Sequence, residues 1–149
     1  MTSHINWRSG LVIGIILCAG CASAQSQRSG TLKAIQGDVR LIQKDVSRDA
    51  ALAGGVQETD RVMTGRNAST TFTLKDGTVV TMGPNTTLDL VKVRFDPVTQ
   101  EGTLGLHLLK GVIRVVTGVL GKLHPDQVDV ATPTSVVGVR GTDFIVEVP

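Results

Sequence analysis

From Gly30 onward the apolar residues fall on alternate positions, the period of strands with one face buried. In "GDVRLI", Val39 and Leu41 alternate with Asp38 and Arg40. "TTFTLKDGTVVTM" sets Phe72 and Leu74 against Thr71, Thr73 and Lys75, then breaks at Asp76-Gly77. That dipeptide between two alternating runs predicts a β-hairpin. Gly83-Pro84-Asn85 predicts the next turn, after which Leu88 and Leu90 oppose Thr87 and Asp89. Beyond Leu90 the phase slips, because Val91, Val93 and Phe95 now oppose Lys92 and Arg94. A bulge, or a strand passing from one face to another, accounts for such a slip.

"TLGLHLLKGVIRVV" alternates Leu104, Leu106 and Leu108, with a turn expected near Lys110-Gly111 and a return through Ile113 and Val115. Val128 and Val130 give another short strand, and "SVVGVRGTDFIVEV" closes the chain. One segment competes for helix, "DVSRDAALAG" from Asp45 to Gly54, which is expected to form one turn or a loop. About eight to ten short strands with turns every eight to twelve residues predict an all-β single domain. Strand starts at Gly37, Gly77 and Gly111 are unevenly spaced. They fit an irregular stack of hairpin-like rungs, as in a twisted β-solenoid, and equally a β-sandwich.

The chain before this pattern has a different character. Met1 to Gly10 holds Arg8 and no acid, Leu11 to Ala19 is wholly apolar, and "CASAQ" follows. This is the order of a secretory signal, and its nine apolar residues reach only about 13 Å against about 30 Å of bilayer core. A signal peptide over residues 1–24, cut after Ala22-Ser23-Ala24, is one expectation. Residues 1–20, cut before Cys21 with a lipid placed on its thiol, are the other, because "LCAGC" resembles a bacterial lipobox with Cys18 in the usual large apolar position. Residues 25–30, "QSQRSG", read as a short tether to a domain over 31–149.

Composition narrows what that domain can do. Cys18 and Cys21 both fall in the leader, so no disulfide is expected in the folded part. The leader takes away Arg8 alone, lowering the formal charge from +2 to +1, which is no footprint for nucleic acid or an anionic membrane. Trp7 leaves with it and there is no tyrosine, so Phe72, Phe95 and Phe144 are the remaining aromatics. Base- or sugar-stacking platforms are therefore not expected.

Beside this reading stands a resemblance. "GDV", then "GGVQETDRVMTGRNASTTFTLKDGTVVTMGPNTTLDL", then "LLKGVIRVV" and "VATPTSVVGVRGTDFIVEV" are similar in order and spacing to the FecR domain of bacterial envelope proteins, over Gly37 to Val148. The resemblance implies an all-β fold of twisted-solenoid type, a periplasmic setting and protein–protein contact rather than catalysis. Signalling members of that family carry a cytoplasmic, sigma-regulating helical region and a spanning helix ahead of the domain. Only ten residues precede the apolar run here, so a stand-alone exported domain without that region is expected. Within "RGTDF", Gly141 is read as a corner residue, Thr142 and Asp143 as capping local backbone, and Phe144 as the start of a closing strand.

No chemical site emerges from the residue pattern. His107 and His124 are read as solvated surface residues, and no Cys/His spacing suggests zinc. Asp96 and Glu101 share a loop but are too few for calcium, while Asp76 and Asp126 belong to turns. Asn67 and Asn85 match glycosylation sequons formally and read as turn residues. Arg61, Arg66, Lys75, Lys92 and Arg94 read as a solvated face. The expectation is a non-catalytic envelope binding or scaffolding domain with no cofactor or metal, a protein partner that the sequence does not identify, and membrane attachment only through a lipid on Cys21. Two alternatives are a structural envelope lipoprotein without a specific partner and a peptidoglycan- or carbohydrate-binding protein.

Overall fold

The computed structural model describes residues 27–140 and 142–149. The expected leader, with Cys21 and both cleavage positions, lies outside the described residues, and so does Gly141. The alternating segments become strands β1 (Gly30–Gln36), β2 (Val39–Gln43), β3 (Val46–Asp49), β4 (Gly55–Val56), β5 (Arg61–Thr64), β6 (Ser69–Leu74), β7 (Val79–Met82), β8 (Thr87–Phe95) and β9 (Gly102–Val116). A short helix α1 (Val119–Leu123) and strands β10 (Val128–Ala131), β11 (Val136–Gly138) and β12 (Asp143–Val148) follow. All twelve strands join one sheet, curled into a half-barrel. The expected all-β single domain is what forms.

The strand pairs reveal bent rungs. β1 pairs with β6 while β2 pairs with β5. β6 and β5 pair in turn with β7 and β8, which lie along the C-terminal and N-terminal parts of β9. β4 and β3 flank β1 and β2 on the far side. Residues 30–43, 61–74, 79–95 and 102–116 thus form antiparallel courses, each broken at a corner and enclosing one core. The corners stack through backbone bonds: Gly65 N–H to Asp38 O at 2.9 Å, Asn85 N–H to Gly65 O at 3.0 Å, and Gly83 N–H to Val112 O at 3.0 Å. Phe72, Met82, Leu90, Leu106 and Ile113 are fully buried between the two arms.

Several expected turns form where the pattern put them. Asp76-Gly77 closes the β6–β7 hairpin, with Gly77 at φ +84°. The slip after Leu90 is a register shift between Leu90 and Lys92 against β9. Three expectations are corrected. Lys110-Gly111 does not reverse the chain, since β9 runs through it from Gly102 to Val116. Gly111 adopts φ +95°, and the buried positions change from Leu104, Leu106 and Leu108 to Ile113 and Val115. A glycine can absorb that one-residue offset because it carries no Cβ.

Asp45–Gly54 contains no helical turn. Lys44 and Asp45, at φ 47° and 66°, form a tight turn into β3. Two consecutive left-handed residues match the right-handed twist of a hairpin. The tether also ends earlier than expected, because Ser29 and Gly30 are buried and Ser29 N–H bonds Val56 O at 2.8 Å. Helix α1 had no sequence signal. It is held by Val119 N–H on Asp76 O at 2.8 Å and by burial of Leu120.

Candidate functional site

Among the described residues no group of three or more His, Cys, Asp or Glu side chains is placed to hold a metal. His107 is half-buried on β9, opposite Asp89 of β8 and Ala131 of β10. Asp89 is already taken by the Arg61 guanidinium in a forked pair of 2.6 and 2.8 Å, which raises the arginine's pKa. His124 is half-buried at the C-terminal end of α1. Both histidines are less solvated than expected, because strands and α1 cover them.

Several of the remaining polar groups are used by the fold. Asp96 Oδ1 accepts the N–H groups of Val98 and Thr99 at 2.8 and 3.3 Å, closing its own loop. Asp76 accepts Thr78 N–H at 3.1 Å and Thr78 Oγ1–H at 2.6 Å. Asn85 sits in its turn at φ 50°. Arg94 pairs loosely with Glu58 at 3.4 Å. Asp60 carries no local sequence signal. It is wholly buried, and its Oδ2 accepts Gln57 N–H at 2.9 Å and Arg48 Nη2–H at 3.1 Å. Arg48 also donates to Gly55 O at 3.2 Å, so the pair ties edge strand β3 to the loop entering β5.

The "RGTDF" motif lies at the C-terminal end of the stack. Thr142 O accepts Thr117 N–H at 2.9 Å. Asp143 does not cap local backbone as expected; its carboxylate takes a fork from Arg114 of β9 at 2.9 and 2.5 Å. The cause is register, since Asp143 lies opposite Val116 and its outward face meets Arg114 across the strand pair. Phe144, Val146 and Val148 are half-buried and pack on the core, while Ile145 and Glu147 face outward. Asp143 and Phe144 begin the closing strand β12.

This ion pair gives a pH test. The hydrogen bond from Arg114 holds the Asp143 carboxyl below its ordinary range; desolvation opposes this and the guanidinium charge adds to it. A lowered folded pKa contributes stability above the unfolded value, near pH 4, and loses it as pH falls through the folded value. The gap in melting temperature between the wild type and Asp143→Asn should therefore be full above about pH 4 and close below it. A gap that stays constant down to pH 2 would show that the pair does not act on stability.

Both ends of the stack carry edge strands, and at this end they are β11 and β12. Among the described residues β11 pairs only with β10, and β12 only with β9. Val136 is 73% exposed and Ile145 67%. A groove between the two arms is lined by Lys122, Val128, Val136, Val139, Arg140 and Thr142. At the opposite end β4 has two residues, and β3 with its turn carries Lys44, Asp45, Arg48 and Asp49 beside exposed Val46. Charge and shortness discourage strand addition there, and β12 has neither protection to the same degree.

The sequence profile described as FecR protein matches residues 60–148, more than half of the chain. The chain belongs to the FecR family. The match runs from buried Asp60 through β12 and so covers the open end. β1 to β4 precede it, and of these β1 pairs with β6 and β2 with β5. No curated protein and no solved structure matches the chain. The FecR family is associated with the bacterial envelope. Among the described residues no helix is long and apolar enough to cross a membrane.

Proposed function

We propose that this FecR-family chain is a non-catalytic protein-contact module, exported to the periplasmic side of the bacterial envelope and either released there or held by a lipid on Cys21. Its contact surface is the open C-terminal end, where a partner strand adds to β12. The observation that carries this reading is the difference between the edge strands at the two ends: β3 has four residues, two of them charged, whereas β12 has six, is paired on one side and carries Phe144, Ile145, Val146 and Val148. Asp60, Asp76, Asp89 and Asp96 and the guanidinium groups of Arg48 and Arg61 are engaged in turns and ion pairs. Neither Phe95 nor Phe144 forms a stacking platform for sugar, because each is half-buried against the core.

Mild cross-linking of the native envelope, followed by purification, tests the reading, and the purified chain's intact mass reports a start at Gln25 or at lipidated Cys21. Successive N–H groups of a strand point to opposite edges. Of Ile145→Pro and Val146→Pro, one therefore removes a donor to β9 and lowers the melting temperature, and the other removes an outward donor only. The variant that keeps its melting temperature should lose the cross-linked protein. Retention of that protein by both variants would overturn the edge-strand reading, and recovery of the wild type alone would favour a purely structural role.

A further inference from the structure

We infer that the strand added to β12 comes from a second copy of this chain, so that two open ends meet about a two-fold axis. The inference rests on the reading of that end as a contact surface, and names its occupant.

The argument begins with geometry. β12 is already antiparallel to β9, and an antiparallel neighbour would continue the same ladder. Self-pairing of one strand about a two-fold axis is necessarily antiparallel, and it closes after two subunits. Sheet continuation and closed symmetry thus require the same arrangement. A head-to-tail contact would instead use the β3–β4 edge, which is guarded by Lys44, Asp45, Arg48 and Asp49 and would propagate as a fibre.

Charge points the same way. The N-terminal end of β12 carries exposed Arg140 together with the Arg114–Asp143 pair, a local balance of one positive charge. The C-terminal end carries exposed Glu147. Antiparallel self-pairing brings each positive end beside the other copy's Glu147, twice over. Parallel pairing would set like charge beside like, which the low-dielectric edge of an interface penalises.

Packing supplies the third part. Phe144, Val146 and Val148 touch the core but keep part of their surface in solvent, and Val136, Val137 and Ile145 around them are exposed. Phe144, Val146 and Val148 lie at a flank of the core that no further strand covers among the described residues. A second copy offers the same uncovered flank, so one contact covers both.

Sedimentation equilibrium of the purified chain tests this. The wild type should be a dimer, and Arg140→Glu or Glu147→Arg alone should raise its dissociation constant by about ten-fold or more. The double variant Arg140→Glu/Glu147→Arg should recover the dimer, because each reversed end then meets a reversed partner. Melting temperatures of all three, expected near the wild type for exposed positions, separate loss of contact from loss of fold. A wild type that stays monomeric at its highest soluble concentration, or a double variant no tighter than the singles, overturns the second copy as occupant. If β12 prolines still abolish cross-linking to a different protein in that case, the contact surface stands and only its occupant is wrong.

Discussion

Gly111→Ala is expected to destabilise the fold by about 2–5 kcal/mol, read as a lower urea midpoint with an unchanged slope. Two physical costs add. Gly111 adopts φ +95°, a left-handed conformation that a Cβ disfavours by about 1–2 kcal/mol. A Cβ there would also stand 2.3 Å from Thr86 Oγ1 and 2.5 Å from Thr86 Cα. Thr86 cannot withdraw freely, because its Oγ1 accepts Val112 N–H at 3.1 Å and its N–H donates to Thr64 Oγ1 at 2.9 Å. The stacked corners would have to part. Gly77→Ala is the control: its φ is +84°, but the nearest atom to its Cβ is 4.0 Å away, so only the conformational cost applies. Equal losses at both positions would show that the corners are not closely packed.

Phe72→Ala should cost about 3–5 kcal/mol, as the loss of a fully buried aromatic from a core that cannot collapse around the gap. Phe72 lies at the centre of β6, opposite Leu32 of β1 and Val80 of β7, both buried. Strands on each side hold the backbone in place, so the neighbours cannot move in. Phe95→Ala is the comparison, because that ring is half-buried at the end of β8. Its loss should be well under that of Phe72 in the same urea series. A Phe72 variant no weaker than the Phe95 variant would mean that the core lies elsewhere.

The two arms meet at positions that local sequence marks unevenly. Asp76-Gly77 and Gly83-Pro84-Asn85 are legible because turn chemistry is local: a glycine or asparagine takes left-handed φ within a few residues of the break. The slip after Leu90 is legible for a related reason, since an unbroken strand that changes its buried parity must contain an extra residue. Lys44-Asp45 also takes two left-handed residues, yet it holds no glycine or asparagine and Lys44 is not a usual left-handed type, so pairing of β2 with β3 imposes it. At Gly111 the same residue type that closes hairpins elsewhere lets one strand pass a corner. Which of the two a glycine does depends on the neighbouring strands.

The open end was half legible. Alternation placed Phe144, Val146 and Val148 on one face and Ile145 on the other, and the strand keeps that division. The partner of Asp143, twenty-nine residues away on Arg114, was not. Nor was the role of Asp60, whose burial and link to Arg48 depend on how β3 folds back. By itself, then, the sequence determined the strand period, most turns, the faces of the closing strand and the family. Only the tertiary structure decided that the courses bend into two arms, which acids pair with which guanidinia, and which end of the stack stays open. The reason is range: alternation and turn preference act over a few residues, whereas register, ion pairing and edge exposure are set by strands that meet from distant parts of the chain.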